Sequence, residues 1–541
     1  MAGTGKRVLI LGGGVAGMSA AHELIDRGFA VTVLEARDIP GGKARSMASH
    51  SDGLPGEHGF RFFPSFYQHL THTLQNIPYR NNRLGVLGNL VDTTRAGAAR
   101  FGKDLIILNS GFPDTPDAFM EMADDLVGNP FGLSAEETRF FGARMMQIAS
   151  SCHERRVEEY EKIGWWQFIE ADRFSDNYRS VLGSTTRSLV AADPRKASAR
   201  TIGDITLQAV MGLSTPGKTY DRVLNGPTSK VWIDPWLEHL RARGVDYRLS
   251  CPVTALQGDA RGLCGVTAST PSGEQTFEAD WYVVALPVEK IAGLLTDDLR
   301  AADPALAAVD GLSQHVAWMN GIQYYLTREV PVLHGHVLYV DAPWALSSIS
   351  QSQFWPDVDF AGFGDGKVRD SFSVDISDWD TPGLCGKPAR ACTREEIAKD
   401  VWRQLRASLN TGGVLRLSDN LLHSWFLDPG IVFDPHTGVT QANLDPLLVN
   451  SAGTWRQRPQ AATGLPNLFL ASDYVQTNTD LACMEGANEA ARRAVNAILQ
   501  RSGSSRPPCQ IWSLPEPEVF ARWRRDDLAR FRQGKPWKAA A

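Results

Sequence analysis

At 541 residues, 43% apolar and 21% charged, the chain has the make-up of a soluble globular protein large enough for two or more domains. Its formal net charge of −6 argues against nucleic-acid partners, and no run approaches the roughly 20 apolar residues of a membrane span. The seven cysteines, Cys152, Cys251, Cys264, Cys385, Cys392, Cys483 and Cys509, are odd in number and hold no C-x-x-C pair, which points to reduced thiols and to no metal centre.

In chain order, Val8-Leu9-Ile10-Leu11 predicts a buried parallel strand. It comes so early that no signal peptide is expected, and the location implied is cytoplasmic. Gly12, Gly14 and Gly17 follow as G-x-G-x-x-G, with Val15 and Ala16 opening a helix that stops at Gly28. Ala30 to Leu34 gives a second strand that closes on Glu35. Gly12 suits a tight turn, Gly14 lets the backbone approach a pyrophosphate, and Gly17 lets helix and strand pack closely. The helix N-terminus favours the anion, and Glu35 can accept from ribose hydroxyls. From this unit alone NAD and FAD are both open.

Gly41-Gly42-Lys43-Ala44-Arg45 supplies a second glycine pair with an Arg beyond it. This resembles FAD enzymes of the amine oxidase and phytoene desaturase superfamily. The resemblance implies FAD contacts at Glu35, Ala36 and Arg37 and from Gly41 through Lys43, Ala44 and Arg45. Arg45 would lie toward the flavin end; taken by itself it reads as a solvated loop cation.

Gly56 to Tyr67 is similar to the E-x-G-x-H-x-F-F-G-x-Y stretch of plant and cyanobacterial type phytoene desaturases, matching at Glu57, Gly59, Phe63 and Tyr67. Arg61 stands where that family often has His, Pro64 replaces the second Phe, and Ser65 replaces Gly. The resemblance implies that Gly59, Phe60, Arg61 and Phe62 run beneath the isoalloxazine, and makes Glu57, Arg61 and Tyr67 the catalytic candidates. Two roles are open for Arg61: orienting a polar or anionic group, or pairing with Glu57 to hold the loop.

Residues 76–225 carry helical patterns at Ala135 to Ile148 and Arg155 to Ile163, and no second nucleotide fingerprint. The Trp165-Trp166-Gln167-Phe168-Ile169 run suits core packing or an apolar tunnel. Cys152-His153-Glu154 is no catalytic pair, since sequence neighbours do not face each other on a helix. A helix with Pro235 in its first turn ends at Gly244. Val245 to Val253 then alternates as a strand, Val266–Thr270 with Gln275–Ala279 forms a hairpin, and 279–287 is a buried strand and turn. This resembles the second FAD-binding portion of the superfamily and implies contacts at Val253 and Ala285. Lys230 reads as a surface lysine.

Trp318 to Leu326, His336 to Val340 and Ser371 to Ile376 suit an antiparallel sheet walling a substrate cavity. His334-Gly335-His336 lacks a third ligand and reads as a loop. Trp425, Phe426 and Trp455 suit packing or the flavin face equally well. Near the end, Asn467 to Tyr474 and Asp480 to Ala494 resemble the superfamily's C-terminal N-L-[FY]-L-A-G-D and A-[ST]-M-E-G-A motif, with Ser472 and Cys483 as departures. The resemblance implies FAD contacts at Ser472, Asp473, Met484, Glu485 and Ala487. The tail places Phe520, Trp523, Leu528 and Phe531 on one helical face among arginines. It suits a peripheral membrane contact, its own protein or another subunit, leaving the oligomeric state open.

The fold class expected is α/β: a doubly wound, discontinuous Rossmann-type FAD domain (1–75, 226–300 and 455–500) and an α+β substrate domain with an antiparallel sheet (76–225 and 301–454). Residues 501–541 form the basic amphipathic tail. By resemblance the protein is an FAD-dependent oxidoreductase. Its expected reaction is hydride transfer to flavin N5 from an apolar isoprenoid or polyene, with oxygen or a quinone as electron acceptor. The alternatives are an amine or amino-acid oxidase, with Arg61 on a carboxylate and Trp425 and Trp455 around the amine, or a non-redox flavin isomerase.

Overall fold

The computed structural model describes residues 6–49, 52–111, 129–213 and 219–538. Five parallel strands form one sheet, in the spatial order Leu468–Leu470, Trp281–Val284, Arg7–Leu11, Ala30–Leu34 and Asp246–Arg248. The strands come from three separated stretches of sequence, so the doubly wound unit is discontinuous, as expected. Val8 to Leu11 and Tyr282 to Val284 are all buried, as parallel strands covered on both faces must be. Helix Val15–Asp26 packs against helix Met484–Ser502, where Asn488 Nδ2 donates to Ser19 Oγ at 2.8 Å. The beginning and the end of the chain thus close over the same sheet.

Val245 to Val253, expected as one strand, divides. Asp246–Arg248 takes the edge of the parallel sheet, the chain turns through Ser250 at φ 53°, and Val253–Asp259 begins a separate antiparallel meander with Gly262–Thr270 and Gly273–Phe277. The cause lies in backbone capture. Ser250 N–H donates to the Arg37 carbonyl and Cys251 N–H to that of Glu35, both at 2.8 Å, and this outweighs the alternating pattern.

Seven strands form the second sheet, in the order Leu422–Leu427, Asn320–Leu326, Asp370–Ile376, Ser347–Ser350, Val337–Tyr339, Arg95–Arg100 and Lys103–Asn109. The expected antiparallel wall is correct except at one seam, where Val337–Tyr339 runs parallel to Arg95–Arg100. Helix Arg394–Leu409, started by a Thr393/Glu396 capping box, buries Ile397, Val401 and Leu405 on one face of this sheet. The other face is left to Leu54, Phe60, Tyr325 and Phe426. That division brings the sheet against the segment that follows the glycine loops.

Helices Ala135–Ser150 and Ala199–Leu213 pack on Tyr160, Trp165, Phe168 and Tyr178, so these rings are core and not tunnel wall. The predicted 155–163 helix shortens to His153–Glu158 plus a turn at Tyr160–Lys162, with Cys152 Sγ accepting from Arg155 N–H at the N-cap. The tail helix Ala521–Arg532 docks on its own chain. Asp527 is 4% exposed and accepts from Arg155 Nε at 3.0 Å, while Trp537 Nε1 donates to Ser150 Oγ at 3.1 Å. Phe520 joins the core of the 135–213 helices. The inward acid Asp527 and Arg524, whose Nη1 donates to the Ala149 carbonyl at 3.1 Å, both hold this helix on its own chain. No helix among the described residues is long and apolar enough to cross a membrane.

Candidate functional site

The first glycine loop is shaped by contacts that only glycine permits. Gly12 has φ 101°, and a Cβ there would stand 2.6 Å from the Ala285 carbonyl oxygen. A Cβ on Gly17 would overlap the Gly12 carbonyl. Gly14 starts its helix without a side-chain cap, and its open side faces Gly42, whose Cα would lie 3.7 Å from a Cβ. Gly41 N–H donates to Gly13 O at 3.0 Å, so the two glycine segments form the two sides of one cradle. Glu35 is 4% exposed; its carboxylate accepts from Gly13 N–H at 2.7 Å and Arg37 N–H at 2.9 Å. Tyr247, not foreseen from sequence, donates its hydroxyl to Gly13 O at 2.6 Å. Ala36 is exposed beside them, and Val253 lies half-buried at the head of the meander.

Arg45 is no solvated cation. It is 2% exposed, donates to Gly42 O at 2.7 Å and Asp445 Oδ2 at 2.9 Å, and lies 3.6 Å from Asp428. Asp428 also accepts from Asn320 Nδ2 at 2.6 Å and meets His58 Nδ1 at 2.6 Å, and Asp445 binds Arg37 at 2.5 Å. Burial opposes ionisation of Asp445, but His58, Arg45 and Arg37 together hold its carboxyl far below the ordinary range. Buried charges persist only when paired in this way. Lys43 donates to the Pro446 carbonyl and Ala44 is buried, which ties the second glycine segment to the same loop.

The segment Glu57–Tyr67 links the two ends of the cradle. Arg61 Nη2 donates to the Lys43 carbonyl and not to Glu57, so Arg61 does hold the loop, but through the backbone. Its Nε is buried without a hydrogen-bond partner. At the far end buried Tyr67 lies beside Cys483, whose thiol caps helix Met484–Ser502 by accepting from Gly486 N–H at 3.4 Å. Glu57 is 1% exposed: Oε1 accepts from Thr228 N–H at 2.9 Å and Oε2 has no partner. Asp375, from the second sheet, lies on Gly59, where a Cβ would come within 2.7 Å of Oδ1. Burial pushes both Glu57 and Asp375 up to about 7, with Arg61 offsetting part of the cost. Phe60 and Phe62 flank His336, at ring separations of 4.8 and 5.9 Å.

In the C-terminal motif, Asp473 is half-buried and its carboxylate meets the Ser472 hydroxyl at 3.3 Å. Glu485 has a side-chain role that the motif did not suggest. Its carboxylate accepts from the N–H groups of Gln68, His69 and Leu70, each at 2.8 Å, and meets His69 Nδ1 at 2.7 Å. It thereby caps helix His69–Gln75. Met484 and Ala487 lie half-buried in the first turn of the C-terminal helix.

The remaining candidates are not brought together. Trp425 packs with the core of the second sheet, whereas Trp455 lies under the Arg200 guanidinium at 4.1 Å, so they form no sandwich. His334 stacks on Phe354, and no metal-binding group occurs among the described residues. Lys230 is exposed, as expected. Sequence reasoning missed Tyr247, Asp375, Asp428 and Asp445, which reach the site from strands and loops far along the chain.

The parts fit a flavin dinucleotide. Glycines stand wherever a Cβ would close the cradle, an uncapped helix N-terminus favours a pyrophosphate, and the Asp473 carboxylate retains acceptor capacity. The family model for flavin containing amine oxidoreductases matches residues 15–499. This chain belongs to that family. It is an FAD-dependent oxidoreductase. Among similar proteins, the 15-cis-phytoene desaturase of Synechococcus elongatus is 26% identical over 93% of this chain and 98% of its own length. The zeta-carotene desaturase of Solanum lycopersicum is 37% identical over 90% of this chain and 80% of its own. Cyclohexylamine oxidase from Brevibacterium oxydans shares the amine oxidoreductase fold, with a TM-score of 0.59 at 15% identity, covering 92% of this chain and 99% of that one.

Proposed function

We propose that this amine oxidoreductase family member desaturates an apolar isoprenoid or polyene. The observation that carries this is the end-to-end likeness to carotenoid desaturases, which extends beyond the cofactor motifs to both sheets. The site agrees with it. Tyr325 and Phe426 pack with Phe60 of the Glu57–Tyr67 segment, Phe62 meets His336, and Trp425 and Trp455 form no sandwich for an amine.

In this reading Gly12, Gly14, Gly17, Gly41 and Gly42 admit the pyrophosphate, Glu35 turns to the ribose, and Asp473 serves the ribitol side. Bound FAD supplies the two-electron acceptor. The protein's own groups position the chain of the substrate, exclude water and manage protons. Reoxidation by oxygen or a quinone, and peripheral contact with the membrane that carries the substrate, belong to the same proposal. Such contact lies elsewhere than on the docked face of the tail helix.

The test is product analysis after incubating the holoenzyme with liposomal triterpene and tetraterpene isoprenoids. A product lighter by two hydrogens with a longer conjugated system is expected. Turnover of soluble amines with no isoprenoid product would overturn the assignment.

A further inference from the structure

Desaturation removes two hydrogens from adjacent carbons. One C–H bond breaks with its electron pair passing to the acceptor; the other breaks with its pair forming the C=C bond, and its proton needs a base. Nothing in the sequence names that base. We propose that His336, paired with Asp221, accepts this proton. This rests on the dehydrogenation reading above.

The geometry pairs an imidazole with a buried carboxylate. His336 Nδ1 lies 2.5 Å from Asp221 Oδ2, and Asp221 is 1% exposed. His336 Nε2 is buried and has no hydrogen-bond partner. Neither Asp221 carboxylate oxygen has a hydrogen-bond partner, so the contact is an ion pair without hydrogen-bond alignment, and Asp221 acts on the imidazole through its charge. The Asp221 backbone is itself fixed, since its carbonyl accepts from Thr93 N–H at 3.1 Å.

The place is also right. Phe60 and Phe62 hold the ring between them, and they lie midway along the segment whose Arg61 reaches the glycine cradle and whose Tyr67 reaches the C-terminal helix cap. The imidazole therefore stands at the seam between the cofactor cradle and the seven-stranded sheet. The charged groups around it are Asp221 from the 219–224 segment, Asp375 from the sheet, and Glu57 and Arg61 from the segment beneath. Burial raises both Glu57 and Asp375 to about 7. In the balanced step two C–H bonds break and one C=C π bond forms; two electrons and one hydrogen go to bound FAD, and one proton goes to His336 Nε2. Asp221 is a positioning residue.

The test compares wild type with His336→Gln and Asp221→Asn, both checked for fold by circular dichroism and for FAD content. Photoreduction without substrate measures proton uptake per two electrons as a function of pH. Negative charge gained on reduction strengthens a nearby base, so wild type is expected to take up protons beyond those of the flavin over a pH window that His336→Gln loses. Asp221→Asn is expected to move that window to lower pH. With a desaturated substrate, His336→Gln should lower kcat by roughly 10²- to 10⁴-fold with KM little changed. Equal proton uptake and equal pH profiles in wild type and His336→Gln would overturn the proposal. Because photoreduction needs no isoprenoid, that failure is distinct from a failure to desaturate one.

Discussion

Gly17 leaves no space for a methyl group, because the Gly12 carbonyl occupies it. Gly17→Ala is therefore expected to displace the loop and yield protein without FAD, read from the visible spectrum. Glu35→Ala removes the acceptor for Gly13 N–H and is expected to weaken FAD retention while the secondary structure stays; full occupancy in that variant would contradict its role. Glu57 has a stability signature. Its unfolded carboxyl titrates near 4.5 and its folded one near about 7, so between these values the folded state binds more protons. Stability is expected to fall as pH rises through that window and to level off above it, by on the order of 3 kcal/mol. Glu57→Gln should flatten this slope in denaturant titrations at pH 5 and 8. At this scale the glycines and Glu35 were legible, because they recur as one motif within about thirty residues of sequence. Asp375, Asp428 and the Asp221–His336 pair were not. Each is an ordinary strand or loop residue until the fold brings distant segments together, and no local spacing marks it.

The elements follow their periodicity except where a specific polar contact overrules it. Pro235 does open its helix and Gly244 does end it with φ 94°. The 245–253 strand fails because the carbonyls of Glu35 and Arg37 capture Ser250 and Cys251. The basic tail had a pattern equally suited to lipid and to protein, and the burial of Asp527 against Arg155, with Arg524 and Trp537 bonded to Ala149 and Ser150, decides between them. Asp527→Ala removes one of two carboxylates on the buried Arg155 guanidinium, leaving Glu159, and is expected to cost about 1.5–3 kcal/mol. Limited proteolysis should then cut near residue 515 and release the tail; unchanged resistance would argue against the docking as a stabilising contact.

At the scale of the whole molecule, one sheet carries the dinucleotide cradle and the other walls the segment between its ends. We propose the division 1–75, 226–300 and 455–500 against 76–225 and 301–454, with residues 507–514 of the tail packed on the former and its helix on the latter. The fold class and cofactor were legible because three glycine-bearing or acidic motifs occur in fixed order. The substrate wall was less so, since apolar strands look alike whatever they enclose. The central claim is that this FAD enzyme takes electrons from an apolar isoprenoid. Anaerobic mixing of the oxidised holoenzyme with isoprenoid-loaded liposomes, and separately with amines and amino acids, tests it most directly. Loss of the flavin's visible band with the isoprenoids alone is the expected result, and bleaching by an amine with none by any isoprenoid would contradict it.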